Sequence, residues 1–349
     1  MLPQSKYFAK TFLVLALFSI TYTITSLYVL YSQNHTVLPS FLYAKDSIPE
    51  YISCSHPEKG NFLDSVGEDP KPPNSIFFHE TTCVNFLRNR EACSVESAAR
   101  AHPDKKVYVI FASSLKEIDC RTGVIAALSN LPNVELYRMN LKTYNLNTPL
   151  QNVSLLRLMW LGKWNNRKTR ELIKTLTLHK FGGIVIDLDV MVVGNLDKLG
   201  DTWASADGDG FGSSIISVQR GLSGMYYSRH FFRTLKQHIA FDLGLSLDSP
   251  LKDSLQKLCN TTNVTEMTRE NCKGFQVYSS EFTSLKSPKS QKRNATASYL
   301  GYYLWDEPSA NRTDILPKHS FYARLAEKYC PKVYSEFMAY DENDKNIQL

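Results

Sequence analysis

Phe181-Gly-Gly-Ile-Val-Ile-Asp-Leu-Asp-Val-Met-Val-Val193 is the stretch whose reading decides the fold. Upstream of it, Thr169 to Lys180 aligns Ile173, Leu176 and Lys180 at helical spacing, and Gly182-Gly183 supplies the stop such a helix needs. Downstream, Ile184 to Val193 is nearly continuous hydrophobe, the pattern of a strand buried on both faces of a parallel sheet. Asp187 and Asp189 interrupt that run, and residues two apart in an extended segment leave the same face. Two carboxylates about 5 Å apart repel by roughly 3 kcal/mol at an effective dielectric near 20, so a cation is expected beside them. Oxygen donors suit Mn²⁺ or Mg²⁺, which take one or two carboxylates together with substrate phosphates.

A D-x-D pair is by itself a weak signal, and a second copy, Asp207-Gly-Asp209, is present. Context separates the two. Asp207-Gly-Asp209-Gly210 has the composition of a turn, whereas Asp187 and Asp189 end a buried strand.

Working outward, Ile76-Phe-Phe78, Val107-Tyr-Val-Ile-Phe111 and Val134-Glu-Leu-Tyr137 are short apolar runs, separated by helical patterns through Cys93 to Ala101 and Val124 to Leu128. This alternation predicts βαβ units, and hence an α/β fold with a mostly parallel central sheet flanked by helices. Ligands of such sheets sit beyond the carboxyl ends of the strands. His79, Glu80, Thr81 and Thr82, after the first strand, are therefore candidates for a nucleotide pocket.

The chain has 349 residues and is 43% apolar, enough for one large catalytic domain. Its net charge of +6 comes from 40 basic and 34 acidic residues without one long run, which argues against a nucleic-acid partner. The dense basic stretch from Lys286 to Arg293 lies among Ser and Pro as a solvated loop would. Thr11 to Tyr31 carries no charge and, at about 1.5 Å per residue, is long enough to cross a bilayer. Lys6 and Lys10 precede it and no basic residue follows before Lys45, so the N-terminus is expected to face the cytosol. The expected order is a cytosolic tail (1–10), a transmembrane signal anchor (11–31), a proline-bearing lumenal stem (32–73) and a catalytic domain (74–349). Sequons at Asn34, Asn152, Asn260, Asn263, Asn294 and Asn311 fit a lumenal body. Seven cysteines with no C-x-x-C pair favour disulfides over zinc, and leave at least one thiol free or bonded between chains.

Four segments carry a family resemblance: Ile76-Phe-Phe-His-Glu-Thr-Thr82, the eleven residues Cys93-Ser-Val-Glu-Ser-Ala-Ala-Arg-Ala-His-Pro103, Phe181 to Asp189, and Tyr329-Cys-Pro331. From about Ser75 to Tyr340 the chain resembles the lactosylceramide 4-alpha-galactosyltransferases and the related arthropod alpha-1,4-N-acetylgalactosaminyltransferases. The resemblance implies a GT-A fold, a UDP-Gal or UDP-GalNAc donor, a manganese-dependent retaining transfer forming an α1,4 bond, and a glycosphingolipid acceptor at the Golgi membrane. On it, Asp187 and Asp189 are the metal and catalytic carboxylates. Glu80 and Thr81 lie near the nucleotide, Glu171, Lys174, Gly182, Gly183 and Trp305 belong to the donor site, and Asp248 is a carboxylate at a plausible position for the reacting sugar. Cys259 and Cys272 resemble a family disulfide.

Three segments depart from the family pattern. Arg170-Glu-Leu-Ile-Lys174 replaces Ser-Asp-x-x-Arg, Leu247-Asp-Ser-Pro250 replaces His-Gln-Gly-Pro, and Tyr303-Leu-Trp-Asp306 replaces His-Val-Trp-Asn. Lysine cannot reproduce the bidentate fork of arginine, and the histidine missing at Tyr303 is expected near the diphosphate and metal. Alongside an active enzyme, two alternatives therefore stand. One is a catalytically impaired paralogue that binds nucleotide-sugar or partners an active glycosyltransferase in a homo- or hetero-oligomer; the other is a related transferase using a GDP-sugar.

Overall fold

The computed structural model describes residues 19–24, 71–72, 74–81, 86–112, 123–155, 158, 166–206, 214–241, 250–278, 300–303, 315–317, 321–338 and 346–348. Strand β1 (Ile76–Glu80), helix α1 (Asn89–Ala101), β2 (Val107–Phe111), α2 (Gly123–Ser129) and β3 (Val134–Arg138) form the first βαβαβ run. Helix α3 (Asn166–Phe181) leads into β4 (Gly183–Ile186), and β5 (Val190–Val192) follows. Then come β6 (Thr202–Ser205), β7 (Ile215–Val218), α4 (Leu222–Phe241), α5 (Pro250–Cys259), β8 (Gln276–Tyr278), β9 (Gly301–Tyr303) and β10 (Ile315–Pro317). Helices α6 (Phe321–Tyr329) and α7 (Pro331–Met338) precede β11 (Asn346–Gln348).

Seven strands make one sheet in the order β3-β2-β1-β4-β7-β6-β8. Its pairings are parallel except those of β7, which runs antiparallel to both β4 and β6. The expected mostly parallel sheet is present, with one reversed strand that apolar patterning alone does not reveal. Alternation along β1 divides the core between the two faces. Phe77 packs toward Leu172, Ile173 and Leu176 of α3, while Ile76 and Phe78 pack with Ala92, Val95 and Ala98 of α1.

The predicted ten-residue strand from Ile184 to Val193 is corrected by the structure. It is two strands: β4 belongs to the large sheet, whereas β5 pairs antiparallel with β9 in a separate ribbon. Asp187, Leu188 and Asp189 form the turn between them, closed by the Val190 amide donating to the Asp187 carbonyl at 3.1 Å. The carboxylates therefore come together through a turn, and the same-face argument for an extended segment does not apply.

The glycine pair works at the opposite end of β4. Gly182 (φ +69°) ends α3, its amide donating to Leu178 O at 2.9 Å, and Gly183 (φ +98°) lies where a Cβ would stand 2.3 Å from Ser75 O. Ile184, Val185 and Ile186 of β4 lie between Gly183 and Asp187, which puts about 13 Å of extended chain between the two, so the glycines shape the α3–β4 turn and are not brought to the carboxylates.

Cys259–Cys272 is a disulfide, as the resemblance implies, and Cys93–Cys330 is a second. Of the apolar N-terminal run only residues 19–24 are described; they are helical and exposed. No helix among the described residues is long and apolar enough to cross a membrane. The remainder of the anchor, the stem up to Pro70, Thr82, Asp207–Asp209, Asp248, Lys286 to Arg293 and Trp305 lie outside the described residues.

Candidate functional site

Helix α3 packs an apolar face of Leu172, Ile173 and Leu176 into the core, yet it carries a polar stripe at Arg170, Lys174 and Thr177. That i, i+4, i+7 spacing puts all three on one side of the helix. The stripe meets the carboxyl edge of β1 and β4 residue by residue. Lys174 Nζ lies 2.6 Å from Asp187 Oδ1, Arg170 Nη1 lies 4.0 Å from Asp189 Oδ2, and Thr177 Oγ1 lies 2.8 Å from His79 Nε2. The Lys174 side chain is 3% exposed and that of Asp187 16%, so this ion pair is poorly screened; the Arg170–Asp189 pair, 40% and 23% exposed, is looser and weaker. The cation expected beside the two aspartates is thus supplied in part by the protein itself.

His79 completes the inner end of the stripe. The Thr177 hydroxyl donates to Ile173 O at 2.9 Å and so accepts from Tyr144 Oη–H at 2.6 Å and from His79 Nε2–H. His79 Nδ1 is left as a bare, buried acceptor with no hydrogen-bond partner among the described residues. Burial first, and the Lys174 charge second, push the imidazole down to about 3, so it is neutral at physiological pH. β1 and β4 pair in parallel at Ile76–Ile184 and Phe77–Val185, so His79 and Asp187 stand at the same, carboxyl edge of the sheet. Glu80 (3% exposed) and half-buried Thr81 follow at the same edge.

Glu171 turns the other way. It is 1% exposed, and its Oε2 accepts from the Leu251 amide at 3.2 Å, in the first turn of α5. What it holds directly is the start of that helix, two residues after Asp248. Tyr303 of β9 pairs with Val190, one residue past Asp189, so the position where the family pattern has histidine does come alongside the turn. No group of three His, Cys, Asp or Glu suited to a metal exists among the described residues.

The donor chemistry still fits a hard divalent ion. Asp187 and Asp189 are both partly exposed carboxylates, and an ion such as Mg²⁺ or Mn²⁺ that draws its other ligands from a diphosphate and water needs no more than two. With Oδ1 of Asp187 engaged by Lys174, Asp187 Oδ2 and the Asp189 carboxylate are the oxygens that would serve it.

Residues 88–206 match a family model described as the glycosyltransferase sugar-binding region containing DXD motif, and residues 249–337 match the alpha 1,4-glycosyltransferase conserved region. Both matched regions are ones described for glycosyltransferases. The lactosylceramide 4-alpha-galactosyltransferases of Pan troglodytes and Homo sapiens are among the proteins the chain is similar to, each 25% identical over 328 residues, covering 81% of this chain and 86% of theirs. The Mus musculus protein is 35% identical over 142 residues, 37% of each chain. Among solved structures, the PaToxG glycosyltransferase overlaps at a TM-score of 0.41, with 14% identity over 59% of this chain and 79% of its own.

The two matched regions are joined at three places, one of them beside the turn. Glu171 to Leu251, Val190 to Tyr303 and Cys93 to Cys330 each join a residue of the first region to one of the second. Sequence reasoning named Asp187, Asp189, Lys174, Glu80 and Thr81, which gather at one edge. It attached no role to Arg170 or Thr177, although their i, i+4, i+7 spacing with Lys174, beside the apolar face of the helix, was the available signal.

Proposed function

We propose that this protein is a retaining glycosyltransferase that moves Gal or GalNAc from a UDP-sugar, in α1,4 linkage, onto a glycosphingolipid acceptor. In this reading it is a single-pass type II protein of the Golgi membrane with a GT-A-like catalytic domain in the lumen. The observation that carries the reading is the Asp187-Leu188-Asp189 turn at the carboxyl edge of a mostly parallel sheet, backed by Lys174 at 2.6 Å, in a chain with both glycosyltransferase regions.

In the reaction the bond from the anomeric carbon to the diphosphate breaks, a bond to an acceptor hydroxyl forms, and UDP and the hydroxyl proton leave. A bound Mn²⁺ or Mg²⁺ supplies positive charge against the departing diphosphate. Asp187 and Asp189 hold that ion, and Lys174 keeps Asp187 oriented. Glu80 and Thr81 line the nucleotide side beyond β1. Glu171 fixes the start of α5, two residues beyond Asp248 in the sequence, and Asp248 is the carboxylate assigned to the reacting sugar. Trp305, two residues beyond β9, contributes an aromatic face for the donor. A lipid acceptor suits an anchored enzyme, since both reactants then share one surface.

The test is a panel of UDP-Gal, UDP-GalNAc and GDP-Man with Mn²⁺, following transfer to glycolipid and to water. Turnover of a UDP-sugar that vanishes in Asp189→Ala supports the proposal, and turnover of GDP-Man alone contradicts it. A second reading, a binding-competent but catalytically impaired paralogue, draws on Tyr303 standing where the family pattern has histidine, next to the turn. Manganese-dependent UDP binding with no turnover of any donor is its signature.

A further inference from the structure

The segment Leu188–Leu196 has a hydrogen-bonding problem on one side. β5 pairs with β9 along one edge, while its other edge faces α1, whose backbone groups are consumed within the helix. Side chains of α1 answer for the missing strand. Ser94 Oγ donates to the Leu188 carbonyl at 2.7 Å, the Val192 amide donates to Ser97 Oγ at 2.9 Å, and the Leu196 amide donates to His102 Nε2 at 3.0 Å. The three side chains belong to residues that are 0%, 1% and 1% exposed. His102 Nδ1 lies 3.2 Å from Ala98 O, so the proton sits on Nδ1 and Nε2 is the free acceptor.

Helix α1 is itself held from behind. Cys93 is bonded to Cys330, and the Glu96 carboxylate accepts from the Lys332 and Val333 amides at 3.1 and 2.7 Å, capping α7. Roles along the Cys93–His102 stretch thereby alternate in direction: Cys93 and Glu96 fasten the helix to the C-terminal helices, Ser94 fastens the peptide that enters Asp189, and Ser97 and His102 fasten the chain that leaves it.

We propose that Ser94 is a positioning residue for the metal–diphosphate site, acting through the Leu188 carbonyl. This rests on the reading of the turn given above. Leu188 lies between the two aspartates, so the plane of its carbonyl fixes the peptide that enters Asp189 and hence where that carboxylate points. A buried carbonyl that loses its donor turns to find another, and the ligand geometry turns with it. Ser217 offers a matched comparison: it is equally buried, and its hydroxyl donates to Asp201 O at 2.8 Å, on β7 away from the turn.

The experiment measures manganese–UDP binding by calorimetry, hydrogen exchange of the 187–196 segment without ligand, and thermal stability, in the full chain and in Ser94→Ala and Ser217→Ala. Ser94→Ala weakens manganese–UDP binding roughly tenfold and speeds exchange in 187–196. Ser217→Ala loses comparable thermal stability and leaves both readouts unchanged. Binding and exchange unaltered in Ser94→Ala overturn the proposal alone, as does an equal loss of affinity in Ser217→Ala. Absence of manganese–UDP binding in the unsubstituted protein overturns the reading of the turn and this proposal with it.

Discussion

Lys174 and Asp187 show how little freedom a charge has at this edge of the sheet. With the lysine side chain 3% exposed, its removal takes from Asp187 the ammonium that lies 2.6 Å from its Oδ1. Lys174→Met should therefore lower stability by about 3 kcal/mol in urea unfolding and weaken UDP binding. Lys174→Arg, which keeps the charge but not the reach, should retain most of the stability. His79 gives the residue-scale pH dependence. Its folded value, lowered to about 3 first by burial and then by the Lys174 charge, lies below the unfolded value of 6.5. The unfolded chain thus binds the extra proton between those limits. Stability is complete above pH 6.5 and is lost as pH falls toward 3. Burial lowers His102 as well, adding to the same trend. His79→Gln should flatten the fall of unfolding free energy between pH 6.5 and about 4, as measured by urea titrations at each pH; an unchanged slope contradicts the assignment.

At the scale of elements, the turns that bound β4 serve different ends. The entry turn is steric: a side chain at Gly183 meets Ser75 O in a left-handed backbone, whereas one at Gly182 meets only the flexible Arg220 side chain and backbone at 3.3 Å and beyond. Gly183→Ala should cost about 3 kcal/mol and Gly182→Ala about 1 kcal/mol, compared by thermal unfolding. The exit turn is chemical, carrying Asp187 and Asp189. Glu96 acts between elements. Its Ala variant leaves two amides at the start of α7 without their acceptor and should lose about 2 kcal/mol, again visible in unfolding. Burial raises the Glu96 carboxyl against the pull of those amides, so the folded chain takes up this proton before the unfolded one does and Glu96 does not add to the acid loss set by His79.

For the whole molecule, patterning was a good guide where one element meets one uniform environment. β2, buried over its whole length, was legible to the residue, and the α3 stop at Gly182 was legible from glycine alone. It failed where a continuous apolar run changes partners: Ile184 to Val193 looks uniform because both β4 and β5 are fully buried, although they lie in different sheets. The antiparallel β7 was missed for the same reason, since burial does not encode direction. Within the site, the aspartates were legible from their cost in an apolar strand, and Lys174 from the resemblance. The Ser94 and His102 contacts were not, because their partners lie 94 residues away in the chain and on backbone atoms that carry no sequence signal. The central claim is that the Asp187–Asp189 turn grips a divalent ion and the diphosphate of a nucleotide. Calorimetric titration of UDP in the presence and absence of Mn²⁺, into the protein and its Asp189→Ala variant, tests it most directly. The account predicts saturable binding that requires the metal and falls at least about tenfold in the variant; binding that ignores manganese, or survives Asp189→Ala undiminished, would contradict it.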